Sequence, residues 1–146
     1  MADTAPQNYD NHVRWHPPFH YFLTPLLLLN FIFAIVQLAR FQDLDRLVYL
    51  VMAIVLIVIA LLARTNALQA QNRIIRLEEQ LRYARVLPAE LAHKAANLGI
   101  GQIVALRFAS DAELPELAQQ TLDGKFAKPD DIKRAVKQWR ADDLRV

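Results

Sequence analysis

Two stretches without charged side chains constrain this chain more than any other feature. Residues 19–39 contain no Asp, Glu, Lys or Arg, and residues 47–63 are all apolar or aromatic, between Arg46 and Arg64. A helix that crosses the hydrocarbon core of a bilayer needs about 20 such residues. We therefore predict transmembrane helices at 19–39 and 47–63. The second is short, so its flanking arginines must extend toward the lipid headgroups.

Two other interpretations of these stretches stay open. The buried helices of a soluble bundle normally keep a polar face, which residues 47–63 lack. A cleavable signal peptide would need a basic start and a small-residue cleavage site, whereas residues 1–20 carry Asp3 and Asp10 against Arg14. The sequence favours membrane spans over both interpretations.

Residues 40–46 form only a short turn between the two spans, so the spans must be antiparallel and both termini must lie on one side. Lysine and arginine near the ends of spans favour the cytoplasmic side. Arg64, Arg73 and Arg76 follow the second span and slightly outnumber the arginines of the turn. We expect both termini in the cytoplasm and these three arginines against anionic headgroups of the lipid bilayer.

The N-terminal residues 1–18 are predicted to lie at the membrane interface, because aromatic residues such as Tyr9 and Trp15 favour that boundary. Pro25 lies inside the first span. It either kinks the helix or, with Thr24, marks the residue at which the helix begins.

The second span is predicted to continue as one helix, because no proline or glycine lies between Pro25 and Pro88. Its part in water, residues 64–87, is basic and resembles a coiled coil. Glu78 and Arg82 are placed to pair across one turn. The a and d positions form a predicted helix-association seam of Ala53, Leu56, Ala60, Ala63, Ala67, Ala70, Ile74, Leu77 and Leu81. Alternatively, this stripe packs on the chain's own C-terminal half.

Asn30 and Gln37 lie on one face of the first span. Amide side chains in hydrocarbon seek hydrogen-bond partners, so we predict that both make polar contacts with the second span. A substrate or ion pathway is the alternative, although the spans contain no ionisable side chain other than that of His20 and those of the tyrosines.

Residues 88–146 are predicted to form a small domain of short helices. Proline and glycine place these helices near 88–99, 102–109, 110–122 and 129–140, with Gly99 ending the first and a Ser110–Glu113 capping box opening the third. The predicted core is Leu91, Leu98, Ile103, Leu106, Phe108, Leu114, Leu117, Leu122, Phe126, Ile132, Val136 and Trp139. The fold class is thus all-α: a transmembrane helical hairpin, a long cytoplasmic extension and a helical C-terminal domain.

The sequence shows no pattern typical of catalysis or of a cofactor. The chain has no cysteine, no phosphate-binding glycine loop and no serine–histidine–acid arrangement. His12, His16 and His20 have helical spacing that could hold a metal, but Pro17 and Pro18 interrupt that pattern. The net charge of residues 88–146 is zero, which argues against nucleic acid as a partner. We predict no enzyme, no metal and no cofactor.

Five short motifs resemble those of a family of small two-span bacterial membrane proteins of unknown function. They are Gln7-Asn-Tyr-Asp-Asn-His12, Arg76-Leu-Glu-Glu79, Leu106-Arg-Phe-Ala-Ser-Asp111, Lys137-Gln-Trp-Arg140 and Leu144-Arg-Val146. The resemblance covers nearly the whole chain and implies a bacterial inner membrane location. It implies no activity and no functional residues.

Two functions are compatible with these features. The first is a non-enzymatic assembly, scaffold or accessory subunit, which forms a homo-oligomer or joins a larger membrane complex through the seam. The second is a membrane-anchored regulatory module whose C-terminal domain binds a cytoplasmic partner or ligand. Polar substitution of the seam would abolish the first function and spare the second.

Overall fold

A computed structural model describes residues 7–12 and 15–142, and this part of the chain is helical. The all-α class and the long second helix that follows an N-terminal helix are confirmed. A π-helical turn at Pro18–Leu23 precedes the first α-helix. The α-helices of the described residues are α1 (Thr24–Phe41), α2 (Leu44–Val86), α3 (Ala89–Ala96), α4 (Ile100–Leu106), α5 (Leu114–Leu122) and α6 (Pro129–Ala135).

The described residues form two compact units, and α2 contributes to both. The apolar unit is Trp15–Leu68, and the C-terminal unit contains residues 7–12 and 69–142. Residues 7–12 therefore pack with the C-terminal helices. The interfacial position of 1–18 stays a prediction. The rest of that segment before Trp15, residues 1–6 and 13–14, lies outside the described residues, as does the motif at 144–146.

The chain enters α1 through a π-helical turn rather than through regular α-helix. Thr24 donates both its backbone N–H and its hydroxyl, the latter at 2.8 Å, to the carbonyl of Phe19 five residues earlier. Pro25 comes next and has no N–H for an α-helical bond, which favours the wider π geometry before it. Regular α-helix thus begins at Thr24, but the helical stretch as a whole runs without a break from Pro18 to Phe41, so the alternative of a short span that starts at Thr24 is wrong.

Only Gln42 and Asp43 separate α1 from α2, fewer residues than the predicted turn of 40–46. Gln42 is left-handed, with φ 49°, and its N–H donates to the carbonyl of Leu38 at 2.9 Å. Asp43 accepts a 2.8 Å hydrogen bond from the N–H of Arg46 and so caps α2. This two-residue link turns the chain back on itself.

The two helices of the apolar unit contact each other through a few side chains. Asn30 donates to the hydroxyl of Tyr49 at 2.7 Å, and the ring of Phe33 packs edge-on against the same tyrosine. Ala34 and Ala53, each one turn further along its helix, are buried. Most other side chains of this unit are apolar and exposed. By length and composition, both helices are apolar enough to cross a membrane, and α2, at 43 residues, is about twice as long as one span requires.

The C-terminal unit packs α3 to α6 and the end of α2 around one apolar core. Tyr83 is the buried contribution of α2, and Leu87 follows directly after that helix. Of the predicted core residues, Leu98, Ile103, Leu106, Phe108, Leu114, Leu117, Ile132 and Val136 are buried, and Leu91, Leu122, Phe126 and Trp139 are partly buried against the cluster. The predicted core is thus confirmed.

The boundaries of the short helices differ from the prediction at Gly99. This residue does not end α3 but precedes α4, with φ −59° and its N–H donating to Oε1 of Gln102 at 3.0 Å. Leu98, immediately before it, is buried in the core, so the chain enters α4 directly from α3. At the end of α5 the prediction holds: Gly124 has φ 75°, and the next N–H, of Lys125, donates back to Gln120.

The last helix ends at Ala135, five residues before the predicted Arg140. From Val136 the backbone is extended and forms a single antiparallel bridge between Trp139 and Ala109. Glu113 accepts hydrogen bonds from the N–H groups of Lys137 and Gln138, at 3.2 and 3.0 Å. These long-range hydrogen bonds replace those that the N–H groups of Lys137 and Gln138 would make in a continued helix. They also take the Glu113 side chain away from the predicted capping box, of which only the bond from the Glu113 N–H to the Ser110 hydroxyl forms.

Candidate functional site

A buried charged cluster lies where α2 meets the C-terminal segments. Glu79 and Arg82 lie three residues apart on α2, and their side chains are 3% and 4% exposed. Arg82 donates to Glu79 at 3.2 Å, to the carboxylate of Asp111 at 2.7 Å and to the carbonyl of Ala109 at 2.7 Å. The other carboxylate oxygen of Glu79 accepts from Arg140 at 3.0 Å.

The charges of this cluster compensate one another, with two arginines against two carboxylates. Buried charges are tolerated when they are paired and hydrogen-bonded, and Arg82 meets both conditions. Tyr83, next along α2, is buried beside Glu79. Burial, and secondarily the negative charge of Glu79, raise the pKa of Tyr83 far above its ordinary value. The cluster therefore fixes the C-terminal segments on α2.

The N-terminal segment joins this unit through His12. Its ring packs edge-on against Phe108 and obliquely against Trp139, with centroids 5.8 and 5.7 Å apart. Nδ1 of His12 contacts the carbonyl of Tyr9, and Nε2 lies 3.3 Å from the ammonium of Lys133. Gln7 accepts from the N–H of Asp142 at 2.9 Å. Residues 7–12 are thus held by aromatic and polar contacts together.

Four of the five sequence motifs meet in this one region. Glu79 closes the second motif, Asp111 closes the third and Arg140 closes the fourth, and Arg82 and the backbone join them. His12 closes the first motif. The sequence predicted no role for Glu79, Asp111 or Arg140, and it predicted a different partner, Glu78, for Arg82. Three of these residues lie in the motifs, which are the signal that could have found them. The apolar periodicity along α2 does not show which residues of distant segments contact one another.

An open cleft of about 470 Å³ lies beside the cluster. It is lined by Arg82, Arg85, Val86, Ser110, Asp111 and Arg140. Arg85 is exposed, and Arg140 is half exposed beyond its pair with Glu79. A small anion is the ligand that these exposed guanidinium groups would favour.

The exposed side of α2 in this unit is the predicted seam. Ile74, Leu77 and Leu81 are 56%, 62% and 69% exposed, whereas Ile75 and Tyr83 on other sides of the helix are buried. The alternative that these three residues pack on the chain's own C-terminal half is therefore wrong. That half covers the opposite side of α2 through the charged cluster and Tyr83.

The seam is not uniform along α2. At the N-terminal end of the seam Ala53 is buried, one turn beyond Tyr49, which contacts α1. This part of the seam therefore packs against the chain's own first helix. Further along, Ala60 and Ala67 are half-buried, and Leu56, Ala63 and Ala70 are exposed.

The structure also locates the other predicted site residues. Asn30 contacts Tyr49 of α2, and Oε1 of Gln37 is buried without a hydrogen-bond partner among the described residues. Arg64 lies over the ring of Phe19, with its guanidinium carbon 5.8 Å from the centroid. Arg73 is exposed, and Arg76 donates to the carbonyl of Leu98 at 3.1 Å.

The three histidines fall into different surroundings. His12 belongs to the C-terminal unit, while His16 and His20 lie at the π-helical turn of the apolar unit, where the ring of His20 contacts the backbone of His16. Among the described residues, no group of three histidine or acidic side chains is placed to hold a metal ion.

Comparison with known proteins adds a family but no activity. No curated protein and no solved structure matches the chain. One family model, described as a family of unknown function, DUF6526, matches residues 1–146. This agrees with the resemblance seen in the motifs. The chain therefore belongs to the DUF6526 family, whose function is unknown.

Proposed function

We propose that the chain is a two-span membrane protein that acts as a non-enzymatic assembly or accessory subunit through helix–helix association. Its partners are the lipid bilayer and a second polypeptide that packs on the exposed face of α2. The observation that carries the proposal is the exposure of Ile74, Leu77 and Leu81 on a helix whose other side is already covered.

Membrane insertion is supported by the surface of the apolar unit. Large apolar side chains such as Leu29, Val48 and Ile59 are at least half exposed there. Exposed apolar patches beyond a few hundred Å² are rare on soluble monomers, and lipid is the solvent that such a surface favours. Arg64, which lies over the ring of Phe19 at the end of the apolar residues 47–63, is placed for anionic headgroups, whereas Arg76 donates to the carbonyl of Leu98 and Arg73 is exposed further along α2.

A location of both termini on the same side is supported by the contacts of residues 7–12. These residues precede α1, and they pack on residues 108, 139 and 142, which follow α2. If both helices cross the bilayer, this contact requires the N-terminal segment and the C-terminal unit to share one side. The arginines that follow the apolar residues 47–63 within α2 favour the cytoplasmic side of a bacterial inner membrane.

Association through α2 is supported by the chemistry of the exposed face. An isoleucine and two leucines, one turn apart on one side of a helix in water, lose solvent contact favourably only against another apolar surface. The C-terminal unit does not supply that surface. A helix of a second polypeptide, either another copy of this chain or a different protein, supplies it.

Substitution of this face tests the proposal. Ile74, Leu77 and Leu81 are changed together to Gln in the full chain, and membranes are treated with a chemical cross-linker. We expect the cross-linked species of the native chain to disappear while Trp139 fluorescence still reports a folded C-terminal unit. The matched control is Ile100→Gln, an exposed apolar residue of α4 outside the seam. Unchanged cross-linking in the triple variant, or a native chain that cross-links to nothing, contradicts the proposal.

A regulatory module is the second candidate, and the arginine-lined surface beside the charged cluster favours it. A cleft of about 590 Å³ is lined there by Ile75, Glu78, Glu79, Leu81, Arg82, Arg85, Arg107, Arg140, Ala141 and Asp142. Binding of an anion such as inorganic phosphate would change Trp139 fluorescence in the native chain and in the seam variant alike. Arg85→Gln would weaken that response. No response at millimolar phosphate argues against this candidate.

A further inference from the structure

The position of the C-terminal unit around α2 has a regular relationship to the heptad pattern. With Ile74 and Leu81 at a and Leu77 at d, the residues of α2 that the C-terminal unit covers most fall at the b, c and f positions. They are Ile75 (b), Arg76 (c), Glu79 (f), Arg82 (b) and Tyr83 (c). Gln80, at g, donates to the carbonyl of Ala96. The a and d positions, together with their flanks at Arg73 and Glu78, are exposed. The C-terminal unit thus covers the side of α2 that faces away from a coiled-coil partner, and it leaves the a and d positions that would face the partner exposed.

We propose that the occupant of this open face is a second copy of the same chain, in a parallel and in-register pair, held by Arg73 of each copy and Glu78 of the other. This inference rests on the proposed association function and names its partner. Two copies inserted in one membrane with the same topology present their α2 helices in parallel. The three apolar residues then meet their own counterparts across the pair.

The charges beside the stripe fit this arrangement. Arg73 is at g and Glu78 is at the following e, five residues later. In a parallel in-register coiled coil, a g residue lies beside the e residue of the next heptad of the other helix. Arg73 therefore meets Glu78 of the second copy, and the symmetric pair forms on the other edge. Gln80 and Arg85, the next g and e residues, add no like-charge contact.

Contacts inside the chain leave Glu78 available for this pair. The sequence predicted that Arg82 pairs with Glu78, and this is wrong: Arg82 pairs with Glu79 and Asp111. In the described part of the chain, no ion pair is formed by Glu78 or by Arg73, and both are exposed. Opposite charges at matching coiled-coil positions favour the homomeric partner over an unrelated apolar helix.

Cysteine cross-linking tests the geometry, because the native chain contains no cysteine. Leu77→Cys places one thiol at a d position, and Ala84→Cys places one at the next d position while keeping the three stripe residues. Mild oxidation of membranes that contain the full chain should give a disulfide-linked homodimer with each variant. Gln69→Cys, at an exposed c position, is the matched control and should stay monomeric.

Charge reversal then tests the pairing. In the Ala84→Cys background, Arg73→Glu alone or Glu78→Arg alone should lower the yield of cross-linked dimer about fivefold, because both symmetric pairs become repulsive. The double variant Arg73→Glu/Glu78→Arg should restore it. Equal yields in all four chains, or no restoration in the double variant, overturn the pairing.

Failure of this inference is distinguishable from failure of the proposed function. If Leu77→Cys and Ala84→Cys give no homodimer but a thiol at position 77 cross-links to another polypeptide, the second copy is ruled out and the association function stands. If that thiol reacts freely with maleimide in native membranes and cross-links to nothing, both fail. A homodimer from the Gln69→Cys control as well overturns the parallel seam.

Discussion

The guanidinium of Arg82 lies 3.2 Å from the carboxylate of Glu79 across one turn of α2, and both side chains are almost fully buried. Glu79 also accepts from Arg140, whose own N–H donates to the carbonyl of Phe108 at 2.8 Å. One carboxylate on α2 thus holds the C-terminal segment and compensates a buried cation. The stability of the C-terminal unit should depend strongly on it.

We predict that Glu79→Gln lowers the free energy of unfolding of the C-terminal unit by about 3 kcal/mol, because Arg82 is left as a buried cation with only Asp111 opposite it. Urea unfolding of the full chain in detergent measures this. Trp139 fluorescence is the probe, in a Trp15→Phe background that removes the other tryptophan.

The matched control is Glu90→Gln. Glu90 pairs with Lys94 at 2.7 Å on the exposed side of α3, where a salt bridge contributes little. This variant should unfold at the urea concentration of the native chain. Equal midpoints for the Glu79 and Glu90 variants would show that the buried cluster does not stabilise the unit.

Tyr83 should make the C-terminal unit sensitive to alkali. Burial raises the pKa of Tyr83 above its ordinary value of 10.0, with a further contribution from the charge of Glu79. Below about pH 10 the phenol is neutral in the folded and the unfolded chain. Above that pH only the unfolded chain ionises, so stability is lost as the pH rises from the ordinary pKa toward the raised one.

We predict that Tyr83→Phe loses less stability than the native chain between about pH 9 and pH 11. The hydroxyl of Tyr83 has no hydrogen-bond partner among the described residues, so its removal should cost less than about 1 kcal/mol at neutral pH. Urea unfolding at each pH is the measurement. Tyr9→Phe serves as the control and should keep the alkaline loss. The same pH profile for all three chains would refute the role of Tyr83.

The sequence was sufficient to predict the helical class, the long second helix and the C-terminal core. In the C-terminal segments the apolar pattern identifies which residues are buried, and the absence of proline and glycine between Pro25 and Pro88 permits an unbroken α2. These features are local. They needed no knowledge of which segments meet.

The charged cluster and the end of α6 could not be predicted in the same way. Lys137 follows the helical pattern, but its N–H donates to Glu113, 24 residues earlier, and the chain leaves the helix. Arg82 had a suitable partner at Glu78, yet it pairs with Glu79 and Asp111. In each case a contact with a residue far along the chain outweighed the local preference, which was a continued helix at Lys137 and pairing with Glu78 at Arg82.

The ring of His12 should be required to hold the N-terminal segment on the C-terminal unit. We predict that His12→Ala shifts the fluorescence of Trp139 to longer wavelength and lowers stability by about 1 kcal/mol, because an aromatic neighbour of Trp139 and Phe108 is lost. His16→Ala is the control, since His16 belongs to the apolar unit. If the emission of Trp139 is the same in both variants, His12 does not shield it.

The contact of His12 with the C-terminal unit also bears on topology. It joins residues before α1 to residues after α2, so a chain that crosses the bilayer twice must return to the side from which it started. We predict that Gln42→Cys, in the link between α1 and α2, reacts with a membrane-impermeant maleimide added to intact cells. Glu90→Cys, on the exposed side of α3, should react only after the inner membrane is opened.

These two positions separate the ways in which the topology could be wrong. Labelling of Glu90→Cys alone in intact cells would mean that the hairpin is inserted with its termini outside, against the bias of the arginines that follow residues 47–63. Labelling of both positions from one side would mean that α1 and α2 do not both cross. Because the native chain has no cysteine, each signal comes from the introduced residue alone. Only the predicted pattern places the C-terminal unit, with its exposed α2 face, in the cytoplasm.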